Sequence, residues 1–136
     1  MNTEHIFIID DDKFFAKYFI MKFRLLVNSN IEFHHFTGLR PVFTANASKS
    51  PLLIFLGNEL NGESGLESLP ELCELYPNAE SILISSIDSN ELAAVAIKNG
   101  ASQFISKDAI MMDKIVESLN GGSGVSRKRK FLKNTA

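Results

Sequence analysis

With a single cysteine, Cys73, the chain can form no internal disulfide. Cys73 falls within the helical pattern Leu66, Leu69, Cys73, Tyr76 and has no histidine or basic cluster beside it in sequence, so it reads as a small core residue rather than a reactive thiol. No apolar run approaches the roughly 20 residues that cross a bilayer, and no membrane span is expected. The N-terminus lacks the basic, apolar and small-residue succession of a secretory signal, which points to a cytoplasmic location. Internal repeats are absent. What is present, 136 residues with 45% hydrophobic content, suits one domain around one core.

Net charge is small, −2, but unevenly placed. Residues 121 to 136 hold Arg127, Lys128, Arg129, Lys130 and Lys133 and no acid, leaving nine of the 14 basic residues against all 16 acidic ones in the rest. Gly121-Gly122-Ser123-Gly124 separates the two parts with the composition of a flexible linker. The expected organisation is a domain over 1–120 and a linker with a basic tail over 121–136. So short a basic cluster, with Phe131 and Leu132 as its apolar neighbours, adds electrostatic affinity but little sequence specificity, which argues against specific nucleic-acid binding.

Short apolar runs alternate with helical periodicity. Strands are expected near 5–10, 31–36, 52–57, 81–85 and 103–107, and helices near 13–27, 39–48, 65–76, 89–99 and 109–120. Pro41 and Asn46-Ala47-Ser48 make the second helix short or irregular. Strand, helix, strand with right-handed crossovers buries a parallel sheet between two helical layers, a doubly wound α/β sandwich. The first helix carries two apolar stripes: Ala16, Phe19, Ile20 and Phe23 on one side, Phe14, Tyr18, Met21 and Leu25 on roughly the opposite one. One stripe serves a sheet; the second packs on neighbouring helices or forms a partner surface, a candidate homodimer contact.

The strand ends carry the chemistry. Ile6-Phe7-Ile8-Ile9 runs into Asp10-Asp11-Asp12, Leu52-Leu53-Ile54-Phe55-Leu56 into Gly57, Ile82-Leu83-Ile84 into Ser85-Ser86, and Gln103-Phe104-Ile105-Ser106 into Lys107. Open α/β sheets build their sites at that edge. This pattern resembles the receiver domain of two-component response regulators, over roughly residues 4 to 120. The resemblance implies a CheY-like, flavodoxin-like (βα)5 fold with parallel strand order 2-1-3-4-5. It also implies an acidic pair, Asp10 and Asp11, for Mg²⁺, a phosphoryl-coordinating hydroxyl at Ser85 and lysine at Lys107, and a switch formed by Ser85 and the aromatic Phe104. The phosphoacceptor aspartate falls on Gly57, eight residues before Gly65, the glycine that opens the family's third helix.

Gly57 departs from the family pattern at the position that matters most. Phosphoryl transfer to a carboxylate needs an oxygen nucleophile, a divalent cation and positive or hydrogen-bonding groups around the phosphoryl oxygens. A glycine offers no nucleophile and removes one metal ligand, so Mg²⁺ binding is expected to be weak. Glu59, two residues on, is the candidate substitute carboxylate, as a fixed negative charge against Lys107 or as a solvated loop residue. Asp12 is a further carboxylate in the first loop. Asp108 stands where the family usually has proline, so a trans peptide is expected there. His34 and His35 point to opposite faces of one strand and receive no role.

These residues suggest a receiver-like domain in two-component phosphorelay signalling that cannot accept a phosphoryl group as it stands. It would act as a phosphorylation-independent interaction module and not as an enzyme. The partners implied are a sensor histidine kinase, a phosphotransfer protein or another receiver. Two alternatives stay open: an active phosphotransfer receiver whose acceptor aspartate has been replaced by Gly57, and a small-ligand-binding flavodoxin-like protein. Against the second, the first loop carries three aspartates, which repel phosphate, instead of a glycine-rich cradle.

Overall fold

A computed structural model describes residues 3–27, 30–44 and 50–108. The expected helix over 109–120, the end of the second helix, the linker and the basic tail lie outside these residues. Five parallel strands form the central sheet: β1 (Glu4–Ile9), β2 (Ile31–Phe36), β3 (Leu53–Gly57), β6 (Glu80–Ser85) and β7 (Gln103–Ser106). Their order is β2-β1-β3-β6-β7, which is 2-1-3-4-5 when the sheet strands alone are counted. The doubly wound, flavodoxin-like α/β fold expected from the sequence is therefore the fold observed.

Connecting helices are α1 (Lys13–Leu26), α2 (Arg40–Thr44), α3 (Gly65–Leu75) and α4 (Asn90–Lys98). Strands β3 and β6, central in the sheet, are buried almost throughout, as continuous apolar runs require when helices cover both faces. One face packs Ile6, Ile8, Phe55 and Ile82 against Ala16, Phe19 and Phe23 of α1. Phe19 and Phe55 meet edge to face with ring centroids 4.6 Å apart. The other face packs Phe7, Ile9, Leu56 and Leu83 against Leu69 and Leu72 of α3 and Ala96 of α4. The second stripe of α1 stays exposed, with Phe14 87% accessible and Tyr18, Met21 and Leu25 also exposed.

Three of the four described helices start on a capping side chain. Asp12 caps α1 by accepting from the Phe15 amide at 3.0 Å, Ser64 caps α3 and Ser89 caps α4. Pro70 inside α3 removes the amide that would reach the Leu66 carbonyl. The Asn99 side chain donates to that carbonyl instead at 3.4 Å, tying the end of α4 to α3.

Between the strand expected at 52–57 and the helix expected from 65 the sequence pattern shows no further element, and here the structure differs. β4 (Glu59–Leu60) and β5 (Glu63–Ser64) pair antiparallel around Asn61-Gly62. Both turn residues have positive φ, 36° at Asn61 and 91° at Gly62, the requirement of a two-residue type I′ hairpin that Asn-Gly meets. No cis peptide occurs among the described residues, and none of their helices is long and apolar enough to cross a membrane.

Candidate functional site

At the C-terminal edge of the sheet the strand register brings four positions together. β1 leads into Asp10, β3 ends at Gly57, β6 ends at Ser85, and Lys107 follows β7. Backbone bonds carry the ladder past the strands: the Lys107 amide donates to the Ser85 carbonyl at 2.7 Å and the Asn58 amide to the Ile84 carbonyl at 2.8 Å. Asp10 and Ser85 are both buried.

Asp10 and Lys107 pair with each other. The ammonium lies 2.7 Å from Asp10 Oδ2 and 4.2 Å from the centroid of the Phe15 ring, a cation held by a carboxylate and an aromatic face. Asp10 Oδ1 accepts the Asp12 amide at 2.9 Å, and the Asp10 carbonyl meets His35 Nε2 at 2.8 Å. Asp11 is exposed. Phe104 is half-buried, packed against the cluster that contains α3 and α4 residues.

Glu59 makes the opposite corner. Its Oε2 accepts the Ser85 hydroxyl at 2.6 Å and the Asn58 side-chain amide at 2.8 Å, and its Oε1 accepts both the amide and the hydroxyl of Ser86 at 3.1 Å. The Ser85 hydroxyl in turn accepts the Ile87 amide at 3.0 Å, so its single proton is committed to Glu59. Partial burial pushes the Glu59 carboxyl up, but the bonds from Ser85, Ser86 and Asn58 together outweigh it and hold the group below its usual value. Glu59 is thus neither a freely solvated loop residue nor the partner of Lys107. The hairpin turns its carboxylate toward the end of β6, and Asp10 takes the lysine.

Gly57 sits where these groups converge. A Cβ placed on it would lie 3.1 Å from Asp10 Oδ2, 3.1 Å from the Ile9 carbonyl and 3.2 Å from Leu60 Cδ2, so any side chain there asks its neighbours to give by a few tenths of an ångström. Leu60, on the hairpin, is buried. Gly65 is needed for closeness: its Cβ would stand 2.1 Å from the Gly57 carbonyl oxygen. Sequence reasoning did not find Asn58, Ser86, Leu60 or Phe15. Asn61-Gly62 was the usable signal, since a two-residue hairpin fixes which way Glu59 faces.

A parallel sheet in this order, with an acidic loop after the first strand, a hydroxyl at the end of the fourth and a lysine after the fifth, defines the class of doubly wound α/β domains that gather their polar side chains at the C-terminal strand ends. The chain belongs to the response regulator receiver domain family, whose model matches residues 6–120. Solved structures agree on the fold. A response regulator from Burkholderia pseudomallei, solved with a phosphorylated aspartic acid and a calcium ion, is 21% identical with a TM-score of 0.75, covering 87% of this chain and 67% of its own. A CheY-like receiver from Methanospirillum hungatei is 18% identical with a TM-score of 0.71, covering 84% of this chain and 89% of its own. The signal receiver domain of a DNA-binding response regulator from Colwellia psychrerythraea is 17% identical with a TM-score of 0.73, covering 85% of this chain and 97% of its own. A search of curated proteins gave no match.

Such a domain implies Mg²⁺ at its strand-end carboxylates. The donors here suit a hard cation in type but not in number. Both Asp10 oxygens are engaged by the Asp12 amide and the Lys107 ammonium, and Gly57 contributes no side chain. The described residues do not fit a tight octahedral cation.

Proposed function

We propose that this receiver domain works in two-component signalling as a phosphorylation-independent interaction module, with the Glu59 carboxylate standing permanently where an active receiver acquires a phosphoryl group. The observation that carries this is the bonding of one carboxylate to the Ser85 hydroxyl and the Ser86 amide beside a glycine that has no oxygen to phosphorylate. A two-state switch moves only when a ligand binds its states unequally. An anion built into the chain holds Ser85 in one arrangement at all times, so the surface around α4 and β7 is presented to a partner without a phosphoryl signal. The partner class is a histidine kinase, a phosphotransfer protein or another receiver, met in the cytoplasm. The domain is not itself an enzyme, and Mg²⁺ binds weakly.

One alternative has an observation in its favour. Asp10, Asp11, Ser85 and Lys107 all stand at the expected edge, which a receiver silenced only by replacement of its acceptor would also display. Intact-mass analysis after incubation with Mg²⁺ and acetyl phosphate separates the readings. The unaltered chain gains no phosphoryl group under the proposal, and gain by it would overturn the reading. Uptake by Gly57→Asp alone would support the replaced-acceptor alternative. No uptake by either, from a folded variant, leaves the interaction module standing, since Glu59 already occupies the Ser85 hydroxyl.

A further inference from the structure

Away from that edge, the first half of the β1–β2 pair gathers three ligating side chains that the receiver function does not use. The register sets His5 opposite Glu32 and Phe7 opposite His34, so His5, Glu32 and His34 share one face of the sheet, with His5 and His34 diagonal neighbours. His5 Nδ1 and His34 Nε2 are 2.9 Å apart, and Glu32 Oε1 lies 3.5 Å from His34 Nε2. One ligand atom from each falls within 4.8 Å of the others. The His34 ring stands edge-on to the buried Phe7 ring at 5.5 Å, which orients it, and the Glu32 side chain is exposed. Asp10 lies five residues further along the chain from His5, about 16 Å away along an extended strand, so this cluster is separate from the acidic edge.

We propose that His5, Glu32 and His34 form a zinc-class transition-metal site that staples the edge strand β2 to β1. Two imidazoles and one carboxylate are a borderline-soft donor set that suits Zn²⁺, and they disfavour Mg²⁺ and Ca²⁺, which take oxygen ligands. Two nitrogens bound tetrahedrally to one Zn²⁺ at normal bond lengths lie about 3.3 Å apart. The pair, now at 2.9 Å, has to open by only a few tenths of an ångström to admit the ion. Both rings ligate as neutral imidazoles through Nδ1 of His5 and Nε2 of His34, each with its ring proton on the nitrogen away from the ion, and Glu32 closes the third position as a carboxylate. The fourth position is left for water, the arrangement of an open site.

Titration of the chelator-treated full chain with ZnCl₂, followed by calorimetry and by the histidine ring signals in NMR, tests the site. The expected result is one Zn²⁺ per chain, with the ring signals of His5 and His34 moving and that of His35, on the opposite face, staying in place. His5→Gln and His34→Gln should each weaken binding at least tenfold, and Glu32→Gln, an exposed and isosteric change that keeps the fold, several-fold. Zinc should also raise the unfolding temperature of the unaltered chain and not of His5→Gln. Absence of stoichiometric uptake, or uptake that persists in the folded His5→Gln/His34→Gln pair, overturns the proposal.

Discussion

Asp10 and Glu59 both bring a carboxylate to the C-terminal edge of the sheet, yet Asp10 is buried against one ammonium at 2.7 Å while Glu59 is exposed and gathers four neutral donors from three residues. A buried charge has no water to fall back on, so its partner decides whether the local structure survives. An exposed carboxylate can trade each donor for water, so its bonds set orientation more than stability. The same pocket therefore holds one corner that anchors the fold and one that directs the Ser85 hydroxyl.

The largest expected effect breaks the anchored corner. Lys107→Met leaves the Asp10 carboxylate buried without its cation, and urea denaturation should show a loss of about 3–5 kcal/mol. Adding Asp10→Asn should recover much of that loss, because the uncompensated charge is gone. A loss near zero for Lys107→Met would place Asp10 in contact with water and dissolve the contrast between the corners.

Next in size is the support under Glu59. Gly62 has φ of 91°, and Gly62→Ala forces a Cβ into the left-handed region at a cost of about 1–2 kcal/mol. The hairpin that turns Glu59 toward Ser85 depends on that residue. Repeating the substitution in a Glu59→Gln background measures the link: additive losses would separate the hairpin from the hydrogen-bond cluster, and coupling ties them together.

The fold was legible because periodicity and strand-end chemistry report the same architecture. Leu52 to Leu56 is an uninterrupted apolar run, and a strand buried on both faces can be little else when helical repeats flank it. Gly57 and Ser85 each close a strand and Lys107 follows one, at changes away from apolar residues that the sequence itself displays. The direction in which side chains point was harder to read. Whether Lys107 reaches Asp10 or Glu59 depends on β1 and β7 lying on the two sides of β3 and on the hairpin after β3, and neither is a local property of the lysine. Asn61-Gly62 held the missing step, but it sits among other loop-forming residues and no apolar alternation flanks so short a hairpin. The His5–His34 contact was hidden for a different reason: it joins residues 29 apart through a strand register that no single run of sequence displays.

The smallest expected effect sharpens the comparison most. Glu59→Gln keeps the shape and removes the charge, and at neutral pH it should cost no more than about 1 kcal/mol, because the group is exposed and water competes for its donors. The sign of the pH dependence follows from the lowered carboxyl. A group whose folded value lies below its ordinary 4.5 stabilises the fold fully above that value and loses the contribution as pH falls through the lowered one. The gap in urea midpoint between the unaltered chain and Glu59→Gln should therefore be constant through neutral pH and close in acid. A gap that persists in acid would assign the cluster to geometry alone, and Glu59 would then act as a brace on Ser85 with its negative charge playing no part.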